Sequence, residues 1–148
     1  MKKFKFKLNS VLRLRKYKER LAQIEFIKAR QAVFDKQKQI DILNNSKIKT
    51  ISELIKKEDE GINSSVHKIY TNYISGLEFA IFNAKDELQD LKKIMYKKQN
   101  NLKDEQIKRK TLEKMEEIEK NKYINWVIKT EQKMMDEMVG LKGLNKEG

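Results

Sequence analysis

The sequence predicts an all-α protein: a two-helix antiparallel coiled-coil hairpin with arms of unequal length and a bend near residues 59–66. Three observations carry that prediction. The 148 residues include no Pro and only five Gly, so almost nothing interrupts a helix. Charged residues make up 38% and apolar ones 39%, a balance that suits long amphipathic helices and not a thick core. From Tyr70 to Leu102, apolar side chains recur at alternating spacings of four and three, the seam of a left-handed supercoil.

The elements follow in order within a single coiled-coil domain spanning residues 1–148. Residues 1–9 form a basic arm, in which Lys3, Phe4, Lys5, Phe6, Lys7 and Leu8 alternate with the period of two of an extended segment. Asn9 and Ser10 then offer N-cap oxygens for helix one, residues 10–59. Its apolar stripe is read as Leu14, Tyr17, Leu21, Ile24, Ile27 and Phe34, resuming at Ile48, Ile51 and Ile55. The bend, residues 60–65, holds the interior's one cluster of turn formers, Gly61, Asn63, Ser64 and Ser65. Gly61 suits a helix C-cap, and Asn63 or Ser64 an N-cap.

Helix two, residues 66–139, follows the seam Tyr70, Ile74, Leu77, Ile81, Ala84, Leu88, Leu91, Met95, Lys98 and Leu102. A looser stripe continues through Leu112, Met115, Ile118, Tyr123, Trp126, Val127, Met134 and Met138. Gly140 and Gly143 are expected to end the helix and leave residues 140–148 as a flexible tail. At 1.5 Å per residue the two helices are ~75 and ~110 Å long. A bend centred near residue 62 sets residue 10 opposite about residue 115. The residues from Met115 on, with Tyr123, Trp126 and four of the six Met, then lack an intramolecular partner beyond whatever the arm covers. An apolar stripe left uncovered marks an interface.

Composition argues against catalysis. With no Cys and one His, neither a thiolate site nor a two-His metal site can be assembled. His67 reads as a solvated residue of the bend. Pairs such as Asp86–Glu87 and Glu116–Glu117 have no cleft to shift their pKa values, and no phosphate-binding loop is present. The expectation is no enzyme activity, no cofactor and no metal. The longest apolar run, Phe79 to Phe82, is four residues, far short of the ~20 that span a bilayer. No apolar segment follows the basic N-terminus as a secretory signal requires.

The net charge of +12 fits nucleic acid, an acidic protein or an anionic membrane. Lysine-rich composition equally fits genome-wide codon bias, but the charge is uneven. Residues 1–20 hold nine basic side chains and one acidic one, Glu19. Phe4 and Phe6 could stack bases beside phosphate-binding lysines. However, only Arg13 and Arg15 precede residue 16, and no nucleic-acid-binding motif is visible. No specific nucleic acid is therefore expected. Residues 10–20 also have the make-up of a basic amphipathic helix lying on a membrane.

Three local patterns stand out: Phe4-x-Phe6-x-Leu8-x-x-Val11-Leu12-x-x-Arg15-x-x-x-Glu19, then Tyr73-Ile74-x-x-Leu77-Glu78-x-Ala80-Ile81, and Glu131-Gln132-Lys133-x-x-Asp136-Glu137 after Leu112-Glu113-Lys114. Together they resemble the FliJ family, coiled-coil proteins of bacterial flagellar protein export. The resemblance implies a hairpin similar to the central stalk of rotary ATP synthases. It would insert at the hexameric export ATPase ring, link it to the cytoplasmic domain of the membrane export gate, promote ring assembly and recycle export chaperones. It would work in the cytoplasm, peripheral to the inner face of the membrane at the flagellar base.

On that implication Lys133, Asp136 and Glu137 contact the ATPase, and the overhang reading adds Tyr123, Trp126 and the Met stripe. Tyr73, Leu77, Ala80 and Ala84 face the gate, although Leu77, on the seam, is as well read as core. Phe4, Phe6, Leu8 and Arg15 belong to the N-terminal motif, whose arm has the alternative of folding back on the overhang. Phe79 and Phe82 lie away from the seam, where a third element would cover them or they would widen the gate patch. The rival readings are a stalk protein of a virulence-type secretion system, a basic nucleic-acid-associated coiled coil, and a structural dimer paired through the overhang.

Overall fold

The computed structural model describes residues 3–147. It consists of two helices that pack against each other, α1 (Asn9–Glu60) and α2 (Ser64–Glu147), an all-α hairpin. The connection is short because both helix ends are capped locally. Gly61 takes a φ of 84°, a conformation in which any side chain but hydrogen is strained. Its amide donates to the Glu58 carbonyl at 3.2 Å. Asn63 starts α2: its Oδ1 accepts from the Ser65 amide at 3.0 Å, and its carbonyl accepts from Val66 and His67. His67, exposed in the first turn of α2, lies 3.0 Å from Glu58 Oε1.

The far end of α2 departs from the sequence reading. The helix does not stop near residue 139 but continues to Glu147. Neither Gly140 nor Gly143 has a positive φ. A single glycine costs a helix only about 1 kcal/mol and does not by itself terminate it. The first two residues assigned to the arm, and Gly148 of the expected tail, lie outside the described residues.

The chain divides into two compact units. The bend unit is Leu21–Lys103; the terminal unit joins the segment up to Arg20 with the segment from Asp104. In the bend unit the helices run antiparallel, as its cross-helix ion pairs show. Glu25 meets Lys98, Lys36 meets Glu87, and Lys47 meets Glu78, at 3.6, 2.6 and 3.2 Å. The α2 seam from Tyr70 to Leu102 is buried or half-buried at every position. Its densest cluster is Ile40, Ala84 and Leu88, with Val33 and Leu43 packed against it.

The seam of α1 lies on a different face from the one read in the sequence. Leu14, Tyr17, Leu21, Ile24, Ile27 and Phe34 are all exposed, as are Ile48 and Ile55; of that set only Ile51 is half-buried. The buried face is Leu12, Phe26, Val33, Ile40, Leu43 and Leu54, with Ala22 and Ala29 between. It keeps a strict 3-4 spacing if Arg15, Glu19, Lys36, Lys47 and Thr50 are counted as seam positions. Those five are accommodated: Lys36 and Lys47 carry their ammonium groups out to Glu87 and Glu78, Arg15 and Glu19 face Glu105 and Arg109, and Thr50 donates to the Ser46 carbonyl at 2.7 Å. Extended beyond Ile24, the other register would put Lys28, Gln31, Asp35, Lys38, Asn45, Lys49 and Ser52 on the seam with Ile42 as its one apolar residue, and would bury far less apolar surface. The register sustained over the whole helix wins.

Candidate interaction surfaces

In the terminal unit the seam continues in phase but turns polar. After Leu102 the α2 positions are Glu105, Arg109, Leu112, Glu116, Glu119 and Tyr123, each half-buried. Arg109 donates through Nε to Glu19 and through Nη1 to Glu113 at 2.9 Å, a fork that suits a planar guanidinium. The Glu19 hydrogen bond, reinforced by Glu113, raises the Arg109 pKa above its ordinary value. Arg15 points a nitrogen at Glu105 Oε2, 3.9 Å away, and that buried oxygen has no closer hydrogen-bond partner. This layer of charges was readable: Glu105 and Arg109 continue the 4-3 spacing of residues 70–102.

The arm folds back on α2. Phe6 and Leu12 are buried, at 7% and 3% exposure, and Leu8 is half-buried. The Phe4 ring lies 5.7 Å from that of Tyr123, which in turn lies 6.1 Å from Trp126. Such tilted pairs add about 1 kcal/mol to the area they bury. The arm thus covers the stripe as far as Tyr123. Trp126 remains 56% exposed, and every residue from Glu131 to Leu144 is exposed. That stretch presents Met134, Met135, Met138, Val139 and Leu141 together with Lys133, Asp136 and Glu137.

The motif after the bend is split by burial. Leu77 and Ala84 are core residues, 8% and 5% exposed, and Ala80 is half-buried. Tyr73, Phe79 and Phe82 are exposed, the two Phe at 68% and 71%. Those aromatics and the edge of Ala80 are the parts of this stretch open to solvent. A shallow groove beside Tyr73 is lined by Thr50, Glu53, Ile69 and Tyr70.

Among the described residues, no three His, Cys, Asp or Glu side chains gather to hold a metal. No helix among them is long and apolar enough to cross a membrane.

A family model described as flagellar FliJ protein matches residues 4–148. The chain belongs to the FliJ family. Its members are coiled-coil proteins related to type III export, and the family is a non-enzymatic one. The resemblance carried by the three sequence motifs is thereby shown. No curated protein matches the chain. Among solved structures, a YscO homolog from Chlamydia trachomatis is similar, with 19% identity, 99% of each chain covered and a TM-score of 0.55. At that identity the likeness concerns the fold alone: a FliJ-family hairpin and the YscO homolog share a two-helix architecture over their whole lengths.

Proposed function

We propose that this FliJ-family chain is a non-enzymatic component of the bacterial flagellar type III protein export apparatus. It links the export ATPase ring to the export gate, promotes ring assembly and recycles export chaperones, acting in the cytoplasm at the inner face of the membrane. The family match over residues 4–148 carries the reading.

The physical character of the chain agrees with it. The two packed helices offer long faces and an end to a partner. At residues 131–144, α2 presents an uncovered stripe of Met, Val and Leu edged by Lys133, Asp136 and Glu137. Methionine-rich faces adapt to the partner they meet, and exposed apolar surface of this extent is stabilised when a partner covers it. The ATPase ring is the occupant proposed for this stretch, with Tyr123 and Trp126 at its inner margin. The gate is proposed to meet the aromatic side of the segment after the bend, through Tyr73, Phe79 and Phe82, with Ala80 at the edge. Leu77 and Ala84 act from within the seam, holding that side in place.

The experiment is a binding assay of the full-length chain, and of the chain lacking residues 131–148, with the export ATPase of the same organism. A complex formed by the first and not the second supports the reading. Equal binding by both places the contact elsewhere, and no binding by either removes the ATPase as a partner.

A further inference from the structure

In the terminal unit, the outward side of α1 between Ser10 and Arg20 is cationic and apolar, with its one acid turned away. Arg13, Lys16, Lys18 and Arg20 are exposed, as are Lys3, Lys5 and Lys7 of the arm before them. Arg15 is half-buried and faces Glu105. Glu19, the only acid before Arg20, is engaged by Arg109. Glu116 of α2, half-buried, lines the arm's groove together with Lys5 and Arg13. Between the cations stand Val11, Leu14 and Tyr17, exposed by 38%, 48% and 52%. Steps of three residues keep them on a common side of the helix.

Cations alone would suit any polyanion. Apolar side chains set among them discriminate. A nucleic-acid backbone gains nothing from a leucine at the contact, whereas a lipid interface stabilises both components. Headgroup phosphates attract the lysines, and the acyl boundary accepts Leu14 and the ring of Tyr17. The face also lies opposite the seam, so a flat surface reaches it without opening the hairpin.

We propose that this side of α1, together with the arm lysines, docks directly on an anionic lipid surface. The contact needs neither the ATPase nor the gate and is separate from residues 131–144. It goes beyond the function proposed above.

The test is co-sedimentation of the purified full-length chain with vesicles of phosphatidylcholine, alone or mixed with phosphatidylglycerol. Binding is expected only to the mixed vesicles and weakens as salt screens the lysines. The triple variant Lys16→Gln, Lys18→Gln, Arg20→Gln lowers partitioning roughly a hundredfold, at about fivefold per cation. The variant Leu14→Ser, Tyr17→Ser, which keeps every charge, lowers it at least about tenfold. Both variants alter exposed positions, and an unchanged circular dichroism melt confirms that each folds.

Three results would each overturn the proposal. One is no preference for phosphatidylglycerol. Another is loss of binding in the charge variant with Leu14→Ser, Tyr17→Ser unaffected, which would reduce the face to a general polyanion attractor. The third is an acidic protein or a DNA duplex bound by this face while vesicles are ignored. Since no export protein is present, failure here leaves the ATPase assignment to its own test.

Discussion

Two substitutions of the same residue type decide which face of α1 is the seam: Ile40→Ala and Ile24→Ala. Ile40 is 2% exposed and packs in the cluster with Ala84 and Leu88. Trimming it to Ala removes three carbon groups at about 0.8 kcal/mol each, and a cavity penalty adds to that sum. The better helix propensity of Ala returns roughly 0.4 kcal/mol. The net loss is about 2–3 kcal/mol. Ile24 is 49% exposed, so about half of the transfer term is at stake. No closed cavity forms there, and the same propensity gain applies, leaving a loss below about 1 kcal/mol. Urea unfolding followed by helical circular dichroism measures both. Equal losses, or a larger loss for Ile24→Ala, would refute the register in which Leu12, Phe26, Val33, Ile40 and Leu54 form the buried face.

Further expectations follow from the bend, the charge layer and the uncovered end. Gly61→Ala costs about 1 kcal/mol because φ is 84° there. Gly76→Ala gains about 0.5–1 kcal/mol, since its added Cβ meets nothing within 4 Å and the site is mid-helix; thermal melts compare the two. Arg109→Ala leaves half-buried Glu19 without its partner and costs about 1–3 kcal/mol. The folded-state pKa of Arg109 is raised, so its contribution is complete below the unfolded-state value and is lost only in strongly alkaline solution. The stability difference between wild type and Arg109→Ala therefore stays constant from neutral to mildly alkaline pH. Deleting residues 131–148 changes the unfolding free energy by less than about 1 kcal/mol, because residues 131–144 are exposed throughout.

Much of this was legible in the residues, and the exception is instructive. The α2 seam from Tyr70 to Leu102 is read correctly because nine of its ten positions are apolar and no rival stripe competes. The bend is read from Gly61 and Asn63, each of which makes the cap its chemistry suggests. On α1 the stripe Leu14, Tyr17, Leu21 and Ile24 is locally the more apolar and so gives the stronger signal in the sequence. Periodicity ranks faces by hydrophobicity and cannot see that Lys36, Lys47 and Glu19 reach partners across the seam. Only the facing helix supplies that information. The end of α2 was misread for a related reason: two isolated glycines signal a stop in sequence but cost too little to impose one. Among the proposed interaction residues, Leu77 and Ala84 are buried, as their places in the 4-3 seam imply, whereas Tyr73, off the seam, is exposed.

The most direct test of the proposed function is a measurement of export ATPase hexamer assembly in the presence of the full-length chain and of the chain without residues 131–148, with both proteins verified as helical. The full-length chain is expected to bind the ATPase and promote the hexamer, and the shortened chain to do neither. A folded full-length chain that leaves the ATPase unbound and its assembly unchanged at physiological salt would contradict the proposed function.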